Sequence, residues 1–358
     1  MAGTPKILVI RFSAMGDVAM TAPILKEFTQ NYPEAELLVV SRSLFKPFFS
    51  GIKNLSFHAF DPKQNHKGFA GLLKLFKELK AHKITAVADL HSNLRSKVLT
   101  SLFSLIGIKT VSVDKGRKEK KELTRKTNKI LSPLELTVQR YADVFKKLGF
   151  PFAIKNTLHQ IPAETPNKET LAIISEALKS APSIASKTQK WIGVSPFAQH
   201  LQKVYPLHKM EAVVLSLATS GHHLFIFGGS AEEQEIAEGW AAKHENITSV
   251  VRKIKLDEEL KLISNLDVML SMDSSGMHLA SLMNIPVVSV WGATHPYAGF
   301  LGYGQSINDA VQLDLYCRPC SVYGNVSCYR GDFACMNNLA ESIVVDKVLY
   351  KLNNQKGI

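Results

Sequence analysis

The sequence predicts an α/β protein with two doubly wound parallel sheets, each in its own domain. Short apolar runs rich in β-branched residues alternate with longer amphipathic stretches, which is typical of strands and helices in a parallel sheet. This alternation starts a second time at Trp191, after a region rich in Pro, Ser, Thr and Lys. The chain of 358 residues is long enough to bury two cores of ordinary size.

The first half begins with the strand Lys6–Ile10, a small-residue turn and a helix with Pro23 near its start. Further strands are predicted over 37–40, 86–90 and 110–113, with a helix over 69–80. We therefore predict a Rossmann-like domain over residues 1–165. A connection over about 151–190 follows, with Pro162, Pro166, Pro182 and one helix over 168–178.

The second half repeats the architecture without a detectable sequence repeat. Its predicted strands span 224–227, 268–270 and 287–290. Its predicted helices span 210–219, 232–243 and 276–283. They form a second Rossmann-like domain over 166–340. Residues 341–358 form a terminal helix, and we expect it to pack on the first domain. Two such halves are expected to face a central cleft, where ligands bind at the carboxyl ends of the strands.

The composition favours an anionic partner. The formal net charge is +12, although solvated lysine faces would produce the same excess. The chain lacks a recognised nucleic-acid module or a basic patch interleaved with aromatic residues, so we expect no nucleic-acid partner. The apolar run over 7–10 is too short for a signal segment, and no stretch approaches the ~18 apolar residues of a membrane span. We expect a cytoplasmic protein that visits a membrane surface.

Four cysteines lie close together near the end of the chain. They are Cys317, Cys320, Cys328 and Cys335, with the spacing C-x2-C-x7-C-x6-C. In a cytosolic protein this spacing is compatible with a thiolate metal site, but the second pair is looser than a zinc site requires. Reduced structural thiols or a redox-sensitive cluster are the favoured alternatives.

The turn Arg11–Asp17 is the first candidate site. Gly16 permits close backbone approach, and Asp17 stands at the start of a helix whose first N–H groups are unsatisfied. An aspartate here is also a common helix cap, a role that contributes about 1 kcal/mol.

Three segments of the second half carry the other candidates. Ser195 ends a strand, and Lys203 follows in a loop where it either holds a phosphate or is merely solvated. In Phe227–Glu233 two glycines precede a capping serine, and Glu232 or Glu233 either binds ribose hydroxyls or compensates the helix dipole.

The segment Ser271–Ala280 is the most informative of the three. A strand ends at Asp273, and the small residues Ser274, Ser275 and Gly276 open a helix, which gives N–H donors suited to a pyrophosphate. His278 lies one turn further, where a half-buried core histidine is the alternative.

Taken together, these segments resemble the heptosyltransferase family of inverting glycosyltransferases, whose fold is GT-B, two Rossmann-like domains that face across a cleft. The resemblance runs in order from about Lys6 to Leu339 through S-A-M-G-D, D-L-H-S-N-L-R-S, K-V-Y-P, G-G-S-A-E-E, D-S-S-G-M-H-L-A and V-W-G-A-T-H-P. It implies transfer of heptose from ADP-heptose to the inner core of lipopolysaccharide by a peripheral enzyme at the inner face of the inner membrane. A membrane surface rich in anionic lipid is an expected partner.

The resemblance also implies roles for individual residues. Asp17 matches the catalytic base. The residues matched to the donor side are Ser195, Lys203 on the phosphates, Glu232 on the ribose, Asp273 beside the sugar, Ser274, Ser275 and Gly276 in the phosphate turn, and His278. The residues on the acceptor side are Ser13, Gly16, Arg95, Lys97, Arg117 and Lys120, the last two in a basic run over 115–129 that matches a mobile acceptor loop.

Some positions depart from the family pattern. The family has D-[ST]-G where this chain has D-S-S-G, Trp where it has Tyr205, and G-P-T-[DN]-P where it has G-A-T-H-P. No D-x-D metal motif is present, so we expect no cofactor and a metal-independent reaction. The alternatives are a silent nucleotide-sugar-binding protein, a GT-B enzyme with another donor sugar, and an epimerase or phosphorylase of the same fold.

Overall fold

The computed structural model describes residues 4–159, 162–178 and 189–354. Pro182 and most of the predicted connection after Leu178 lie outside these ranges. The chain divides into two compact units, one of residues 1–117 and 135–155 and the other of residues 118–134 and 156–358. The first boundary therefore falls ten residues before the predicted one, and a segment of the first half belongs to the second unit.

The first unit is built on a parallel sheet of five strands in the order β3-β2-β1-β4-β5. The strands are β1 Lys6–Ile10, β2 Glu36–Ser41, β3 Leu55–Ala59, β4 Ala86–Asp89 and β5 Lys109–Ser112. The helices of the first half are α1 Met15–Ala19, α2 Thr21–Asn31, α3 Gly68–Lys80, α4 Leu94–Leu105, α5 Arg117–Leu123 and α6 Thr137–Leu148, and a 3₁₀ helix spans Ser43–Phe49. Strand β1 is fully buried from Ile7 to Ile10, as its apolar run predicts.

The second unit contains a parallel sheet of six strands in the order β11-β10-β9-β6-β7-β8. The strands are β6 Trp191–Ser195, β7 His223–Ile226, β8 Ile247–Ser249, β9 Val268–Met272, β10 Val287–Val290 and β11 Ala310–Val311. The helices are α7 Lys168–Leu178, α8 Leu207–Thr219, α9 Ala231–Ala241, α10 Leu256–Ile263, α11 Ser275–Leu282, α12 Ala334–Asn337 and α13 Glu341–Asn353, with short 3₁₀ helices over Leu201–Lys203, Pro296–Ala298 and Ile307–Asp309. Two doubly wound α/β units are confirmed.

The C-terminal helix α13 packs within the second unit. Its buried side chains Val344, Val348 and Leu352 belong to the hydrophobic core formed with β6, β9 and α8. Its apolar stripe covers the second sheet, and the expected packing on the first domain stays a prediction. In the part of the chain that the structure describes, no helix is both long and apolar enough to cross a membrane.

Tyr205 ties the chain before α13 to the second sheet, and its contacts generate a stability prediction. Its ring is fully buried, and its hydroxyl donates to the carbonyl of Leu339 at 2.7 Å. Burial raises the pKa of Tyr205, so the hydroxyl stays a donor. Lys209 Nζ donates to the same carbonyl at 2.9 Å, so that acceptor keeps a partner when the hydroxyl is removed.

We expect Tyr205→Phe to destabilise the second unit by about 1 kcal/mol, the usual net contribution of one buried hydrogen bond. For a unit of this size the melting temperature should fall by roughly 2–4 °C. Differential scanning calorimetry measures it, with the exposed Tyr350→Phe as the matched control. Equal melting temperatures for the two variants would show that the Leu339 contact contributes nothing.

Candidate functional site

The order of the strands determines where each unit presents its polar loops. In a doubly wound sheet, ligands bind at the carboxyl ends of the two strands at which the winding reverses. Those strands are β1 and β4 in the first unit, and β6 and β9 in the second. The predicted residue Ser195 ends β6, and Asp17 and Asp273 follow β1 and β9. Each unit thus places its candidate residues at its own reversal point.

Asp17 is the third residue of helix α1, and its carboxylate faces two groups of the preceding turn. Oδ2 accepts the N–H of Ala14 at 3.4 Å and forms an ion pair with the guanidinium of Arg11. The side chain remains 30 % exposed. Asp17 therefore does help to cap the helix, as the alternative interpretation holds, and its carboxylate is also accessible from solvent.

Arg11 holds the Asp17 carboxylate in place through this ion pair. The sequence analysis assigned no role to Arg11. Its side chain is buried, Nη1 donates to the carbonyl of Leu90 at 2.6 Å, and Cζ lies 5.8 Å from the centre of the Tyr141 ring. Burial alone would lower the pKa of Arg11, but Tyr141 and Asp17 raise it above its ordinary value. A buried arginine needs an anionic partner. The position of Arg11 directly after a buried strand was therefore the sequence feature that could have predicted this ion pair.

His91 lies on the same side of the turn, after β4. Its Nδ1 accepts the N–H of Phe12 at 3.2 Å. Burial, followed by the charges of Arg11 and Lys115, lowers the pKa of His91 to about 3. The imidazole is therefore neutral at physiological pH.

The buried Asp89 holds the loop that carries His91. One carboxylate oxygen accepts the N–H groups of His91 and Ser92 at 2.9 and 2.8 Å. The other accepts the hydroxyls of Ser96 and Ser112 at 2.9 and 3.1 Å. Asp89 is thus fully engaged in shaping the loop between β4 and α4.

The predicted acceptor residues are only partly brought together. Ser13 and Gly16 lie in the Asp17 turn, and Arg95 and Lys97 are exposed at the start of α4, which follows the neighbouring strand β4. Arg117 is exposed at the start of α5.

The burial of Lys120 disagrees with our expectation of a mobile basic loop over 115–129. Its side chain is only 5 % exposed, and Nζ lies 4.1 Å from the centre of the Phe300 ring. Lys129 Nζ donates to the carbonyls of Cys317 and Pro319, each at 2.8 Å. The run contains a helix and two anchored lysines, because ammonium groups that meet an aromatic face or carbonyl oxygens are held in place.

In the second unit Lys203 and Asp273 form an ion pair with 2.9 Å between Nζ and Oδ2. Their side chains are 16 % and 6 % exposed. Gly324 lies against the stem of Lys203, so closely that a Cβ at Gly324 would be 2.4 Å from Cγ of the lysine. The two predicted donor residues are thus held together within one unit, although 70 positions separate them in the sequence.

Gly276 brings the start of helix α11 against the end of strand β6. A Cβ at Gly276 would lie 2.2 Å from the Ser195 hydroxyl oxygen, a distance that packed atoms do not reach. Ser195 itself is buried at this contact, so its hydroxyl serves packing. The extra serine in D-S-S-G therefore still leaves a glycine where the helix meets the sheet.

Helix α11 lacks the side-chain cap that Asn93 and Ser230 give to helices α4 and α9. In α9, Ser230 and Glu233 form a capping box, and Glu233 Oε2 also accepts the N–H of Gly229 at 2.6 Å. At Ser274, the N-cap of α11, the described side chain makes no such capping bond. The first N–H groups of α11 are consequently suited to an external anion.

The α9 capping box also distinguishes between Glu232 and Glu233, the two acidic residues that are candidates for binding ribose hydroxyls. Glu233 is engaged in the box, whereas Glu232 is exposed, with a pKa held below its ordinary value by its own backbone N–H and the Ser230 hydroxyl. Glu232 is therefore the carboxylate that a ligand can reach. His278 is buried within α11, in keeping with the core alternative, and its matched role stays a prediction.

The cysteines and one histidine cluster are the metal-binding candidates. All four cysteines are free thiols, and burial raises the pKa of Cys335 to about 11. Over the described ranges, the one group of three or more ligand atoms within 4.8 Å of each other belongs to His58, His66 and Glu78. The His66 Nδ1 accepts the Asp61 N–H at 3.0 Å, so its proton is on Nε2, which faces Glu78 Oε2 at 3.1 Å. Hydrogen bonds account for this cluster without an ion.

Comparison with known proteins identifies the family. The profile of Glycosyltransferase family 9 (heptosyltransferase) matches residues 72–328. The chain belongs to this family. A lipopolysaccharide core heptosyltransferase, OpsX of Haemophilus influenzae, is 27 % identical over 302 residues, which cover 82 % of this chain and 80 % of that one. Lipopolysaccharide heptosyltransferase 3 of Escherichia coli is 24 % identical over 291 residues, 78 % and 81 % of the two chains.

The fold of this family 9 glycosyltransferase agrees with solved structures. A family 9 glycosyl transferase from Veillonella parvula superposes with a TM-score of 0.74 at 17 % identity and covers 99 % of both chains. The E. coli heptosyltransferase WaaC with ADP gives a TM-score of 0.67 at 18 % identity, over 97 % of this chain and 99 % of that one. The predicted GT-B fold class and glycosyltransferase activity are confirmed.

We expect Gly276→Ala to weaken ADP binding about tenfold or more, because the added methyl group pushes the start of α11 away from Ser195. Isothermal titration with ADP measures this. Gly239→Ala is the matched control, since Gly239 lies within α9 and its Cβ would meet nothing within 4 Å. The same ADP affinity in both variants and the wild type would show that the Gly276 contact does not position the ligand.

Proposed function

We propose that the enzyme transfers heptose from ADP-heptose to the inner core of lipopolysaccharide with inversion at the anomeric carbon. The observation that carries this proposal is the Lys203–Asp273 ion pair beside the start of α11, where Ser274 makes no capping bond in the described structure. That arrangement fits a nucleotide diphosphate, which carries negative charge and many acceptor oxygens. OpsX and lipopolysaccharide heptosyltransferase 3 are named as heptosyltransferases of lipopolysaccharide, which supports the same sugar and the same acceptor.

The second unit supplies the donor half of the reaction. The ammonium of Lys203 and the N–H groups at Ser275 and Gly276 stabilise the charge that develops on ADP as it leaves. Asp273 holds Lys203 before the donor arrives and lies beside the sugar afterwards. Glu232 is the exposed acid at the next loop, where it accepts hydrogen bonds from ribose hydroxyls.

The first unit supplies the acceptor half. Asp17 accepts the proton of an acceptor hydroxyl while that oxygen bonds to the anomeric carbon of the heptose. The bond from that carbon to the β-phosphate oxygen breaks with its electron pair, and ADP leaves. Arg11 holds the Asp17 carboxylate in place throughout, since its own guanidinium is anchored to Leu90.

We further propose that this transfer needs no divalent cation. Lys203 and the start of α11 place a positive charge and N–H donors where a cation would otherwise neutralise the diphosphate. The carboxylate best placed to hold a cation there, Asp273, is paired with the lysine.

The place of action that we propose is the cytoplasmic side of the inner membrane, at its surface. A lipopolysaccharide acceptor is lipid-anchored, and the net charge of +12 favours an anionic lipid surface. The exposed Arg95, Lys97 and Arg117 suit the phosphates and carboxylates of such an acceptor.

A transfer assay tests this function against its alternatives. The full chain is incubated with ADP-heptose and a heptose-deficient lipopolysaccharide core, and we expect mass spectrometry to show a gain of one heptosyl residue, with or without EDTA. Parallel reactions contain ADP-mannose and UDP- or GDP-sugars. A gain only with another donor would replace the donor assignment, and donor binding without any gain would identify a silent binding protein. Loss of transfer in EDTA would contradict the metal-free mechanism.

We expect Asp17→Asn to lower turnover by about 10²–10⁴-fold, the usual contribution of a general base, while donor affinity is unchanged. The amide oxygen still accepts the Ala14 N–H, but the buried Arg11 loses its anionic partner, so the melting temperature of the variant is measured beside its turnover. Asp61→Asn is the matched control, because Asp61 likewise accepts backbone N–H groups in a turn of the first unit. Steady-state kinetics with ADP-heptose decide, and turnover near the wild-type value would leave Asp17 as a cap alone.

A further inference from the structure

The second unit exposes a patch of aromatic and aliphatic side chains that the transfer mechanism does not use. Six of the fifteen large apolar side chains that are exposed among the described residues belong to two short segments. We call these six the aromatic patch: Ile130, Leu131, Tyr316, Tyr323, Val326 and Tyr329. Tyr316 is 77 % exposed, more than a tyrosine needs to keep its hydroxyl in water.

Side-chain contacts join the two segments into one surface. Lys126 Nζ lies 4.9 Å from the centre of the Tyr329 ring, and Lys129 is bonded to the carbonyls of Cys317 and Pro319. Ile130 and Leu131 directly follow that anchored lysine. The two segments that carry the patch therefore lie against each other, although nearly 200 positions separate them in the sequence.

The segment that carries the tyrosines is held firmly by the second unit. The buried Arg318 donates from Nη2 to the carbonyls of Trp291 and Thr294 at 3.1 and 3.0 Å. The N–H groups of Cys320 and Ser321 both bond to the carbonyl of Ala293. The backbone is therefore anchored on both sides of Pro319, between Tyr316 and Tyr323.

The charges around the patch favour an anionic partner. Residues 118–134 contain six Lys or Arg and two Glu, whereas residues 314–332 are balanced, with Arg318 and Arg330 against Asp314 and Asp332, the last paired with Arg330. Arg330 lies over the Tyr316 ring, with 5.3 Å from Cζ to its centre, and Lys126 covers Tyr329 in the same way. Rings with a polar edge, flanked by cations, match the interface of a membrane whose headgroups are negatively charged.

We propose that the aromatic patch is the surface through which the second unit docks on an anionic lipid membrane. This inference rests on the proposed function, in which the acceptor is lipid-anchored. The tyrosine rings enter the headgroup region, and the exposed Lys118, Lys121 and Lys126 meet the lipid phosphates. The cations act over a short range, because the Debye length is about 8 Å at physiological ionic strength.

Vesicle co-sedimentation of the full chain tests the proposal. We expect the wild type to bind phosphatidylglycerol-containing vesicles and to bind phosphatidylcholine vesicles much less. The double variant Tyr316→Ser/Tyr329→Ser should partition roughly tenfold more weakly onto the anionic vesicles, since two part-buried rings are lost from the interface. Equal partitioning of the variant and the wild type, or no binding by the wild type, would overturn the proposal.

The matched control is Tyr350→Ser. Tyr350 is 61 % exposed on α13 of the same unit and also carries a lysine over its ring, Lys347, at 5.7 Å. Its partitioning onto anionic vesicles should equal that of the wild type. If this control loses as much partitioning as the double variant, the effect is a non-specific one of surface tyrosines, and the assignment is wrong. A change of the double variant from dimer to monomer in light scattering, without a change in vesicle binding, would assign the patch to a second copy of the chain instead.

Two acceptors separate this proposal from the proposed function. With a delipidated, water-soluble core acceptor, the double variant should turn over like the wild type. With the same core in anionic vesicles, its acceptor KM should rise roughly tenfold. An unchanged KM in vesicles would overturn the docking surface and leave the activity intact. Failure of the wild type on both acceptors would overturn the proposed function, while vesicle binding would still report on the patch.

Discussion

In the second unit, Gly276 approaches Ser195 so closely that a Cβ atom would lie 2.2 Å from the serine hydroxyl oxygen. This contact lets the first turn of α11 lie directly over the point where the winding of the sheet reverses. Asp273, one residue before the N-cap, is then fixed at the end of β9 and holds Lys203 at 2.9 Å. The ammonium, the carboxylate and the start of the helix depend on a position that tolerates no side chain. The positions of the charged groups in the proposed donor site therefore depend on the absence of a Cβ at position 276.

The first unit solves a related problem with a buried charge. Arg11 enters the protein interior directly after β1, where an unpaired guanidinium would be very costly. Leu90 and Asp17 supply its acceptors, and the ion pair keeps the Asp17 carboxylate oriented while leaving the side chain part-exposed. The neighbouring imidazole of His91 stays neutral because burial and the charge of Arg11 lower its pKa. The turn therefore carries a carboxylate paired with an arginine beside a neutral imidazole.

The central strands and the polar turns after them could be predicted from the sequence, because each depends on local pattern. Strand β3 was missed, since its segment Leu55–Ala59 is half-exposed and lacks an apolar run. The three-residue β8 and the two-residue β11 are shorter than any pattern can indicate.

Contacts between distant parts of the chain were also beyond a local pattern. The burial of Lys120 against Phe300 and the assignment of residues 118–134 to the second unit depend on partners nearly 200 positions away. The choice between Glu232 and Glu233 needed the observed capping box, because both residues fit the sequence pattern equally well.

The proposed donor site predicts that the diphosphate of ADP binds at the start of α11. A crystal structure of the complex with ADP tests this directly. A crystal structure of the full chain with ADP should place the β-phosphate within hydrogen-bonding distance of the Ser275 and Gly276 N–H groups. It should also show Lys203 Nζ in contact with phosphate oxygens. A diphosphate bound elsewhere, with Lys203 still paired only to Asp273, would contradict the assignment of this helix start as the donor site.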